Sequence, residues 1–95
     1  MTAPIQTVRL RITGQVQGVG YRLWATRTAE SLGLRGWVRN RRDGSVEALA
    51  TGGPEAVAAF IEACRQGPRA AEVSKVTLTD AADDGSRGFS ALPTE

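Results

Sequence analysis

The chain contains no histidine, and that absence removes whole classes of chemistry. Ser-His-Asp and Cys-His catalysis, histidine-based zinc sites and phosphohistidine intermediates all need an imidazole. There is one cysteine, Cys64, so no intramolecular disulfide can form. No apolar run approaches the roughly 18 residues that span a membrane. The opening Met1-Thr2-Ala3-Pro4-Ile5 lacks the basic start and apolar stretch of a secretion signal. The expectation is a cytoplasmic protein that does not enter a membrane.

What is present is ordinary for a folded domain: 41% hydrophobic and 23% charged residues. The length predicts a single domain over residues 1–95. A chain this short buries only about 60–65% of its unfolded surface, so a site should be a shallow cradle made by loops. The net charge of +2 is unevenly spread. Residues 1–42 hold eight arginines against one acid, Glu30, a balance of +7. Residues 43–95 hold four basic groups against nine acids, a balance of −5. The first half has the charge to attract an anion; individually, most of these arginines read as solvated surface groups.

Val8, Leu10 and Ile12 alternate with Arg9, Arg11 and Thr13, the period-2 pattern of a half-buried strand that Gly14 ends. The segment Gln15–Tyr21 reads as a loop. A helix follows from about Arg22 to Leu32, with Ala25, Ala29 and Leu32 on one face and Gly33 as its stop. A strand over 36–40 and a returning strand bearing Val46, Ala48 and Ala50 flank Asp43-Gly44, a hairpin signature. Gly53, Pro54 and Glu55 suit the start of a second helix. Its apolar stripe is Val57, Phe60, Ile61 and Cys64. On that stripe Cys64 reads as a core residue rather than a nucleophile. Gly67-Pro68 ends the helix, Val76 and Leu78 mark a fourth strand, and a short last strand lies near Phe89 and Leu92. Of Trp24 and Trp37, at least one should pack in the core, although either could frame a site. The order predicts an α+β, ferredoxin-like βαββαβ sandwich. Its sheet is mainly antiparallel, with a short fifth strand and two helices on one face.

Two segments carry the chemistry. Gly14-Gln15-Val16-Gln17-Gly18-Val19-Gly20-Tyr21-Arg22 is a glycine-containing loop that opens a helix. Its backbone N–H groups can converge on an anion at the helix N-terminus. The guanidinium of Arg22 can grip two phosphate oxygens at once. The loop is neither a Walker A loop nor a dinucleotide fingerprint, and alone it is compatible with a plain turn. In the second segment, Asn40 near a strand end offers a neutral amide that both accepts and donates hydrogen bonds. Alone it is equally compatible with satisfying turn backbone.

Together the segments are more specific. Gly-x-Val-Gln-Gly-Val-x-Tyr-Arg at 14–22 and Leu-Gly-Leu-x-Gly-Trp-Val-x-Asn at 32–40 closely resemble the acylphosphatase family. Asp-Gly-x-Val-Glu at 43–47 and Gly67-Pro68 continue the likeness, which covers roughly residues 7–80. The closing Phe89-Ser90-Ala91-Leu92 is a looser version of the family's last strand, and Tyr21 stands where many members have Phe. The resemblance implies metal-free hydrolysis of acyl phosphates without a cofactor. It makes Arg22 and Asn40 catalytic, Arg22 as phosphate ligand and Asn40 as the group that positions water. It makes Gln17, Gly18, Val19, Gly20 and Tyr21 the backbone donors of the phosphate loop. Inorganic phosphate, the product, should inhibit competitively, and a monomer is expected.

Two other readings remain. RNA binding on a ferredoxin-like sheet needs aromatic rings for stacking. Val8–Thr13 and Val46–Thr51 contain none, so no nucleic-acid partner is expected. An accessory, non-catalytic domain is the other reading, because fold alone does not settle function.

Overall fold

The computed structural model describes residues 4–95. Seven elements follow one another: β1 (Gln6–Gln15), α1 (Tyr21–Ser31), β2 (Arg35–Asn40), β3 (Val46–Gly52), α2 (Pro54–Gln66), β4 (Glu72–Asp80) and β5 (Phe89–Leu92). The strands form one sheet in the order β4-β1-β3-β2-β5. The pairs β1–β3, β1–β4 and β2–β3 are antiparallel, and β2–β5 is parallel. This is the expected βαββαβ arrangement with its short fifth strand.

Alternation decides which face is covered. Val8, Leu10 and Ile12 lie opposite Ala50, Ala48 and Val46 in register, and all six are buried. They pack with Tyr21, Ala25 and Ala29 of α1 and with Val57, Phe60 and Cys64 of α2 in one core. Both helices therefore cover the same face. Removing this apolar surface from water drives the fold, at about 25 cal/mol per Å². Phe60 is fully buried and meets Phe89 edge-on, with ring centroids 5.7 Å apart. That contact pins the short β5 against the second helix.

Two local boundaries differ from expectation, the end of β1 and the start of α1. Gly14 does not end the first strand: β1 runs on to Gln15, and its register against β4 shifts between Thr13 and Gly14. A bulge lets the strand absorb the glycine and continue. The expected hairpin is present: residues 41–45, which contain Asp43-Gly44, join the antiparallel β2 and β3. Leu78 belongs to β4 but is 41% exposed, because β4 is an edge strand. The first helix begins at Tyr21, one residue early, and Leu32 is its C-cap. Trp24 is half-buried against the core, edge-on to Tyr21 at 5.2 Å. Trp37 lies on the open face of the sheet beneath the guanidinium of Arg39, and its Nε1 donates to Asp84 at 3.1 Å.

The open face also resolves the uneven charge. Arg9 and Arg41 each lie 3.5 Å from Glu47, Arg11 pairs with Asp43, Arg35 with Asp83 at 2.7 Å, and Arg39 with Glu95. Five arginines of the first half are thus matched by acids of the second. Arg22 has no carboxylate partner among the described residues.

Candidate active site

The site is built where β1 hands the chain to α1. Gly18 and Gly20 have φ of 74° and 77°, in the left-handed region that glycine enters without steric penalty. Gly20 is the N-cap of α1 and supplies no side-chain cap, and the first turn contains no acid. The opening N–H groups of a helix have no partner within it. Among the described residues, none of the backbone N–H groups from Gln17 to Leu23 donates to a loop, cap or side-chain acceptor. They form a nest of uncommitted donors at the positive end of the helix dipole.

Arg22 stands in the first turn of α1, half-buried. Its Nη1 donates to the Leu92 carbonyl of β5 at 3.1 Å, which tethers the guanidinium while leaving its other donors available. Asn40 is the last residue of β2, paired with Val46. Its carbonyl accepts from the Glu95 N–H at 3.0 Å. Its side-chain amide makes no hydrogen bond among the described residues. Arg22 and Asn40 line a single cavity of about 400 Å³ together with Val16, Gly18, Gly20, Tyr21, Leu23, Thr26 and Ala91. Among the described residues, Arg22 is the one charged residue in that lining.

The supports are equally specific. The buried Tyr21 hydroxyl donates to the Cys64 carbonyl at 2.7 Å, fastening the start of α1 to the end of α2. Burial pushes the Tyr21 phenol well above its ordinary range, so it stays protonated and keeps donating. Burial also pushes the Cys64 thiol up to about 12, which leaves it inert at neutral pH. The half-buried Gln17 sends its Nε2 across to the hairpin, donating to the Arg41 carbonyl at 2.7 Å and the Ser45 carbonyl at 2.8 Å. Asp43 accepts from the Ser45 N–H at 2.9 Å and the Ser45 hydroxyl at 2.6 Å. These bonds, with the Arg11 guanidinium nearby, hold its carboxyl below the usual carboxylate range. The hairpin beside Asn40 is therefore stiffened on both sides.

The sequence-expected residues separate into groups. Gly18, Gly20, Tyr21, Arg22 and Asn40 meet at the cavity. Gln17 and Val19 do not line it, and the side chain of Gln17 is committed to the hairpin. Neither tryptophan frames the cavity. Sequence reasoning missed Leu23, Thr26, Ala91 and the Leu92 carbonyl. A second hollow of about 320 Å³ lies on the open sheet face among Arg9, Arg11, Arg41, Asp43 and Glu47. Its cations are already paired with its carboxylates.

The acylphosphatase family model matches residues 8–91. The chain belongs to the acylphosphatase family. It is 55% identical over 84 residues to an acylphosphatase of Rhodopseudomonas palustris, covering 88% of this chain and 83% of that one. It is 50% identical over 90 residues to an acylphosphatase of Rhodospirillum rubrum, covering 95% and 99%. The fold matches the crystal structure of acylphosphatase from Bacillus subtilis with a TM-score of 0.88 at 36% identity, over 94% of this chain and 99% of that one. The resemblance read in the sequence is borne out, and with it the ferredoxin-like fold and the expected enzyme class, an acylphosphatase hydrolase.

Proposed function

We propose that this enzyme hydrolyses acyl phosphates with the phosphoryl group held in the loop 17–22, clamped by Arg22, and with the attacking water oriented by Asn40. The observation that carries this reading is one cavity lined by Arg22, by Gly18, Gly20 and Tyr21 of the loop with uncommitted N–H groups, and by Asn40, in which, among the described residues, Arg22 has no carboxylate partner and the Asn40 amide no hydrogen bond. The water oxygen attacks phosphorus as the P–O bond to the acyl group breaks, releasing a carboxylate and inorganic phosphate. A carboxylate is a good leaving group, so positioning and charge stabilisation are the main tasks. The N–H groups and Arg22 spread the phosphoryl charge. An amide is a poor base and no carboxylate lines the cavity among the described residues, so a phosphoryl oxygen of the substrate takes the proton of the water.

No metal or cofactor has a role in this scheme. Residues 1–95 act as one acylphosphatase-like domain, a cytoplasmic monomer inhibited competitively by inorganic phosphate. Among the described residues, no helix is long and apolar enough to cross a membrane. The test is hydrolysis of benzoyl phosphate by protein exhaustively treated with EDTA. Undiminished turnover, with competitive inhibition by phosphate, is the expected result. Activity lost on chelation and restored by Mg²⁺ contradicts the scheme.

A further inference from the structure

The cavity is larger than its phosphate cradle requires. At about 400 Å³ it falls in the range of roughly 300–1,000 Å³ of sites that enclose whole small molecules. A phosphoryl group at the start of α1 leaves space beside it for the acyl group. One wall of that space is apolar. Leu23 is 57% exposed, one of three large hydrophobic residues left in solvent among the described residues. A single exposed leucine ordinarily needs no explanation. Here it lines the cavity one residue after Arg22, whereas Ile5 and Leu78 lie outside the lining. Thr26 follows three residues later on the same helix face. Its hydroxyl donates to the Arg22 carbonyl at 2.8 Å, so its one proton is committed to the helix backbone and is not offered to an acyl group. Ala91, next to the Leu92 carbonyl that tethers Arg22, extends the wall from β5.

Resting on the functional reading above, we infer that Leu23, Thr26 and Ala91 form an acyl-group subsite that selects acyl phosphates with an uncharged, apolar acyl moiety. Two features argue for this class. An apolar group that covers Leu23 removes exposed hydrocarbon from water, a gain that a small acyl group such as acetyl cannot match. An acyl group with a second anionic end finds no second cation among the described residues of the lining, where Arg22 alone is charged. Leu23 acts on selectivity through the ground-state fit of the acyl group, and it takes no part in the displacement at phosphorus.

Benzoyl phosphonate and acetyl phosphonate separate this binding from leaving-group chemistry, because their P–C bonds are not hydrolysed. Their dissociation constants, and that of inorganic phosphate, would be measured by calorimetry for the wild type and for Leu23→Asn. The wild type should bind benzoyl phosphonate about tenfold more tightly than acetyl phosphonate. In Leu23→Asn that ratio should fall to about twofold, almost wholly through weaker benzoyl phosphonate binding. Because Leu23 is mostly exposed, the variant should keep the wild-type circular dichroism, and the wild-type ratio stands without it. Equal binding of the two phosphonates by the wild type, or an unchanged ratio in the variant, overturns the subsite while leaving the cradle intact. If neither phosphonate nor phosphate binds, the subsite falls together with the reading it rests on.

Discussion

The two helices of this protein both begin after a glycine, but they treat their N-termini differently. In α2, Gly53 has extended backbone, Pro54 occupies the first turn and Glu55 follows. Proline removes one unpaired N–H, and the glutamate offsets the positive end of the dipole. In α1, Gly20 is left-handed, the first turn carries no acid, and among the described residues no side chain caps the exposed N–H groups. One start is closed by its own sequence, and the other is left open beside Arg22 and Asn40. On the function proposed above, the charge α1 lacks is supplied from outside, by the phosphoryl group of the substrate.

Arg22→Lys breaks the comparison most severely. A point charge replaces a planar fork, and kcat/KM on benzoyl phosphate should fall by about 10²–10³. Near wild-type kinetics in the lysine variant would show that no bidentate grip is needed. Gln17→Leu tests how firmly the open start is held to the hairpin that carries Asn40. The two carbonyls it serves also accept from the Gly44 and Arg41 N–H groups, so the fold should survive at a loss of about 1 kcal/mol. The kcat should drop about tenfold while phosphate affinity changes little, because the water rather than the phosphoryl group is displaced. Equal losses in kcat and phosphate affinity would instead place the side chain with the cradle. The smallest effects come from exchanging the two starts. Leu23→Glu places an acid in the first turn of α1 and should weaken phosphate inhibition about fivefold. Glu55→Gln removes one from α2, and should lower stability by about 0.3–1 kcal/mol without changing turnover. If the two substitutions affect phosphate affinity alike, the helix starts do not differ as described.

The parts of this architecture that rest on local chemistry were legible in the sequence. The period-2 alternation of β1, the Gly53-Pro54-Glu55 start of α2 and the stripe through Cys64 all gave elements close to those observed. The resemblance carried by residues 14–22 and 32–40 named Arg22 and Asn40, and the fold brings them to one cavity. What the sequence withheld depends on distant partners. The task of Gln17 is set by carbonyls 24 and 28 residues away. The tether on Arg22 comes from Leu92, 70 residues on, through a strand whose parallel pairing with β2 no local pattern encodes. β4 was only partly marked, because an edge strand leaves even its apolar residues half in solvent, as Leu78 shows. The continuation of β1 beyond Gly14 was hidden for a related reason, since the bulge is set by its partner strand. The apolar wall at Leu23 escaped notice because a lone leucine on a helix surface becomes meaningful only once its neighbours are known.

The central claim is the division of labour between Arg22, which binds, and Asn40, which orients water. Asn40→Ala tests it most directly, with kcat on benzoyl phosphate and the inhibition constant of inorganic phosphate measured on the same preparation. The account predicts that kcat falls by about 10²–10³ while phosphate inhibits as it does in the wild type. Parallel loss of turnover and phosphate affinity, or turnover that survives, would contradict it.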